Sequence, residues 1–125
     1  MKTSINHLHL ICKDWLRELN FYKSEIPIFR KRLEEIAADY SSKEILAMVD
    51  HFENKFYIMN IHFDELLHDV NLKEQYLANK ATEQPKYISV KMIEMDEKLE
   101  DLMVFTATDF SETKKEFYQF LSKYM

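Results

Sequence analysis

Five histidines among 22 acidic side chains raise the question of metal chemistry first. The sharpest pattern is Glu65-Leu66-Leu67-His68. A Glu and a His three apart share one face of a helix, and bundle proteins that hold a pair of iron ions in carboxylates use this spacing. His62 stands one turn earlier, so His62, Glu65 and His68 are the candidate metal ligands. Such a site needs two of these motifs and two further glutamates, all pointing inward. The chain has one motif, and its three residues fall off the apolar seam traced below. The expectation is surface histidines in water, with no bound metal or other cofactor.

Other reactive types are sparser. Cys12 is the one cysteine. It sits on an apolar ladder, where a buried core thiol is expected, and nothing near it in sequence supplies the electropositive pocket a thiolate requires. Arg30-Lys31-Arg32 could meet an anion or nucleic acid, but also reads as a solvated helix end whose charge suits the helix dipole. Glu94, Asp96, Glu97, Glu100 and Asp101 form an acidic run. The chain has no glycine. Walker loops, dinucleotide fingerprints and nucleophile elbows all need it, so its absence argues against those enzyme classes. No catalytic residue is assigned, and a non-enzymatic protein is expected.

The elements that would position these residues are long helices. From Ile45 the apolar residues are Val49, Phe52, Phe56, Met59, Phe63, Leu66, Val70 and Leu77, at alternating steps of three and four, with Lys73 the one interruption. A 3.5-residue repeat marks a helix packed along its length against other helices. In that register Glu65, His62 and His68 take c, g and f positions. A second ladder runs Ile5, Leu8, Cys12, Trp15, Leu19, Tyr22, Ile26, Phe29, Leu33, Ile36 and Tyr40. Pro27 lies off it and predicts a kink, because proline removes one backbone hydrogen bond and crowds the preceding turn. A third ladder, Ile88, Met92, Met95, Leu99 and Leu102, then shifts to Met103, Phe110, Phe117 and Tyr124. The shift predicts a stutter or a break near residues 103–110, with one continuous helix preferred. Ser41 with Glu44 has capping-box spacing, and Tyr40 with Ile45 could form a hydrophobic staple. Asn79 is the expected stop of the second helix, Ala81 to Gln84 the second connection, and Pro85 the first turn of the third.

The fold expected is all-α: one domain over 1–125, an antiparallel up-down-up bundle with helices near 4–40, 42–79 and 86–124. Leu10, Phe21 and Ile28 on the first helix, and Ile58, Ile61 and Leu72 on the second, fall outside the ladders. A three-helix monomer would leave them in water, and aligned apolar stripes suggest a partner surface. A homodimer or other protein partner is therefore expected. No run is apolar enough to span a bilayer, no signal-peptide core is read at Met1–His9, and Cys12 has no internal partner. The expectation is a cytoplasmic protein without a membrane partner. The net charge of −5 argues against non-specific nucleic-acid binding.

Trp15 to Lys23, together with Phe29 to Ile36, resembles small uncharacterised bacterial helical-bundle proteins, a likeness that implies a fold but no activity. The equal helix lengths also resemble a spectrin-type repeat, in architecture alone. The leading reading is a protein-protein interaction or scaffold module. The alternatives are a ferritin-like or hemerythrin-like carboxylate and histidine bundle binding a metal or small ligand, and weak nucleic-acid contact.

Overall fold

The computed structural model describes residues 5–83 and 90–124. They form three helices: α1 (Ile5–Asp39), α2 (Lys43–Glu83) and α3 (Val90–Tyr124), with no strand among the described residues. The helices pack on one another as an up-down-up bundle. The backbones of α1 and α2 come closer to each other than either comes to α3. Gln84 and Pro85, assigned to the second connection and the first turn of the third helix, and Ile88, assigned to its ladder, lie outside the described residues.

Two boundaries differ from expectation. The amide of Leu46 donates to the Ser42 carbonyl (3.0 Å), which makes Ser42 the N-cap and moves the start one residue past the expected capping box. α2 also runs through Asn79 to Glu83. No described residue takes a positive φ, so Asn79 does not turn the chain out of the helix. α1 continues through Pro27, and Ile26, Phe29 and Leu33 stay buried on either side of it. The ring's lost N–H costs one helical bond but leaves the packing register intact.

The expected ladders of α1 and α2 are the core. Phe56 and Phe63 are buried, as are Phe52, Leu66 and Val70. Trp15, Tyr40 and Ile45 pack against its edge. Aromatic rings fill the central layers: Tyr22 stacks on Phe110 at 4.4 Å, and Phe29 meets Phe56 at 5.3 Å and Phe117 at 5.1 Å. At one end the Tyr40 hydroxyl donates to the Tyr124 carbonyl (3.2 Å), with the two rings edge to face.

α3 corrects the expected stutter. Met92, Leu99, Met103, Thr106, Phe110, Thr113, Phe117 and Phe120 are all buried. With Asp96 and Tyr124 they recur at steps of four and three from end to end, so no register shift occurs. The apparent shift came from reading Met95 and Leu102 as core and passing over polar residues that hold the seam. Thr106 fits there because its hydroxyl donates to the Leu102 carbonyl (2.7 Å), which leaves no polar group unmet.

Candidate functional site

The strongest concentration of polar chemistry inside the bundle surrounds Lys73. Its position on the α2 ladder carries it fully into the core, at 0% exposure. The ammonium donates to the Asp96 carboxylate of α3 and lies 5.0 Å from the centre of the Trp15 ring of α1. One charge thus meets a carboxylate on one helix and a π face on another. Such pairing is what a buried ammonium requires, since an unpaired one would cost several kcal/mol. Next to Lys73, Glu74 faces α1, and its Oε1 lies 3.0 Å from His9 Nδ1. That contact is not aligned as a hydrogen bond, so this buried oxygen has no donor.

Cys12 shares the region and is wholly buried. Burial pushes its thiol up to about 11, against a smaller downward pull from Lys73. The thiol is therefore protonated at neutral pH and is a poor nucleophile. Among the described residues no group of three His, Cys, Asp or Glu side chains gathers to hold a metal ion. What these residues can do is tie all three helices together at one layer.

The candidate ligands are placed apart. His62 is half-buried, with Nε2 3.0 Å from the Thr106 hydroxyl. Glu65 and His68 are exposed. The structure brings His62 to α3 but does not bring the three together as a ligand set. In the basic run, Arg30 pairs with Glu53 (3.2 Å) and Arg32 with Glu35 (3.3 Å), while Lys31 is exposed.

The six outer apolar residues, Leu10, Phe21, Ile28, Ile58, Ile61 and Leu72, are all exposed. They do not form one face. Phe21 and Ile28 lie four before and three after Glu25, which pairs with Lys114 of α3 at 2.8 Å. They therefore border the α1–α3 flank. Ile58 lies three after Lys55 and four before His62, which reach Asp109 and Thr106 of α3. It borders the α2–α3 flank, and Leu72, two heptads further on, repeats its position. The third flank, between α1 and α2, is crossed by the ion pairs Lys23 with Asp64 and Arg30 with Glu53, and by the contact of His9 with Glu74. α3 adds exposed Val104 and Tyr118 on the first flank and Phe105 on the second.

Lys114 joins α1 to α3 in a second way. Besides its pairing with Glu25, the ammonium lies 5.5 Å from the centre of the Tyr118 ring and 5.8 Å from that of Phe110. The hydrogen bond to Glu25 raises its pKa, outweighing burial.

Comparison with family models, curated proteins and solved structures finds no match to this chain. Sequence reasoning missed Asp96 and Glu74 as core-facing groups. The signal for Asp96 was present: carried back from Phe120 and Phe110 in steps of three and four, the α3 ladder lands on Asp96. Lys73 had already marked a charge in the seam.

Proposed function

We propose that this protein is a non-enzymatic helical bundle that acts by protein contact, associating with a second copy of itself. The observation that carries the reading is the sorting of its surface. Large apolar side chains stand in rows in water along both flanks of α3, while the α1–α2 flank is crossed by ion pairs and bordered by exposed Tyr57, one heptad before Asp64. Single exposed apolar residues are ordinary, but rows aligned along a helix are the usual mark of a contact surface. The interior supports the same reading. The buried Lys73 ammonium is paired with Asp96 and the thiol is protonated, so the core reads as a scaffold holding those rows in place. Sedimentation over a concentration series tests it. The native chain is expected to rise above monomer mass with concentration. Leu10→Glu with Phe21→Glu, both at exposed positions, should keep the helical content and hold the chain at monomer mass. A native chain that stays monomeric throughout would remove the self-association reading.

A further inference from the structure

We infer that two copies dock antiparallel through the α1–α3 face, with the acidic half of each lying across the basic half of the other. The inference rests on the self-association reading and specifies its surface and orientation.

One outer row of α3 recurs at steps of three and four: Glu94, Glu97, Asp101, Val104, Thr108, Ser111, Lys115, Tyr118. Every member is exposed. Its sequence is acid, then apolar and small, then basic and aromatic. The matching outer row of α1 includes Phe21, Ser24, Ile28 and Lys31, also exposed. The two helices run parallel. Tyr22 stacks on Phe110, Glu25 meets Lys114, and Phe29 meets Phe117, so a residue on α1 lies level with one about 88 positions on. Phe21 is therefore close to the level of Val104 and Thr108, and Lys31 close to that of Lys115 and Tyr118. Asp14 and Arg17, also on the α1 row, pair with each other at 3.6 Å and leave little charge there.

The face is thus polar along its length. Acids stand on one side of the apolar middle and lysines on the other, each centred about 15 Å from it at 1.5 Å per residue; Glu35, next on the α1 row after Lys31, is paired with Arg32 (3.3 Å). A parallel dimer would set acid against acid. A two-fold axis across the middle instead sets Glu94 and Glu97 of one copy against Lys31 and Lys115 of the other, twice over, with Phe21 of each near Val104 of its mate. That is the self-complementary pattern a closed two-fold interface requires. The ordering of charges along the rows selects orientation, as charge complementarity does at interfaces generally.

The full chain is tested by sedimentation at low and moderate salt, with circular dichroism as the folding control. Lys31→Glu with Lys115→Glu is expected to weaken the dimer by about tenfold or more, and so is Glu94→Lys with Glu97→Lys. All four changes in one chain should restore it, as should a 1:1 mixture of the two double variants. A dimer insensitive to either reversal, or one that the fourfold variant fails to restore, overturns the antiparallel docking and leaves self-association standing. A native chain that is monomeric at every concentration overturns both.

Discussion

At the scale of single residues, Lys73 and Asp96 join α2 to α3 inside the bundle, with the Trp15 ring of α1 beside the ammonium. Removing one partner leaves the other charged and unmatched in the core, so Asp96→Leu alone should cost about 3–5 kcal/mol in urea unfolding. Replacing both, as Lys73→Met with Asp96→Leu, should be neutral or stabilising by about 1–4 kcal/mol, because the desolvation cost of both charges disappears. The pair then serves alignment more than stability, and the double variant should show less uniform packing by near-ultraviolet dichroism. Alkaline pH probes three other side chains. Burial raises the Cys12 thiol from its ordinary 9.0 to about 11. Burial, followed by the hydrogen bond to Glu18, raises Tyr22 above its ordinary 10.0. Lys114 is raised above 10.5 by Glu25. In each case the unfolded chain releases the proton first while the folded one still holds it. Stability is therefore full below pH 9 and falls as pH climbs through the raised values. Unfolding midpoints measured from pH 8 to 11 should decline, and in Cys12→Ala the decline should begin about one pH unit later.

At the scale of elements, the helical ladders of α1 and α2 were legible because their core positions are almost all apolar. Phe52, Phe56 and Phe63 on α2, and Leu19, Ile26 and Leu33 on α1, needed no structure to be placed. α3 was legible as a helix but not in register. Asp96, Thr106 and Thr113 hold seam positions, and polarity alone assigns such residues to the surface. What makes them core residues is a partner on another helix or a carbonyl one turn back, neither of which a linear pattern displays. The division of the outer apolar residues between two flanks was hidden for the same reason, since it depends on which side of each helix meets α3. Helix ends were hardest. Asn79 carries the chemistry of a stop, yet α2 continues past it to Glu83. Asn79→Ala should accordingly stabilise the protein by about 0.5 kcal/mol, the gain from a better helix former at an exposed interior site. A loss of stability in thermal unfolding would mean that Asn79 caps the helix after all.

At the scale of the whole molecule, three helices bury one continuous seam but leave apolar rows on two of three flanks. A glutamate pair placed on the α1 row, Leu10→Glu with Phe21→Glu, should therefore alter assembly while sparing the fold. The same change in the core would unfold it: each fully buried Leu or Phe contributes roughly 1.5–3 kcal/mol, a large part of a small domain's net stability.

The odd number of helices has a mechanical consequence. α1 and α3 point the same way, so Ile5 and Tyr124 lie at opposite poles of the rod, about 50 Å apart for 35 residues at 1.5 Å each. Tension applied through these two points would load the packed layers in shear along their whole length rather than peel them apart one at a time. Two fluorophores at Asn6 and Ser122 would form a ruler for the intact body, and their separation would shift before helical content falls if α3 detaches as a unit.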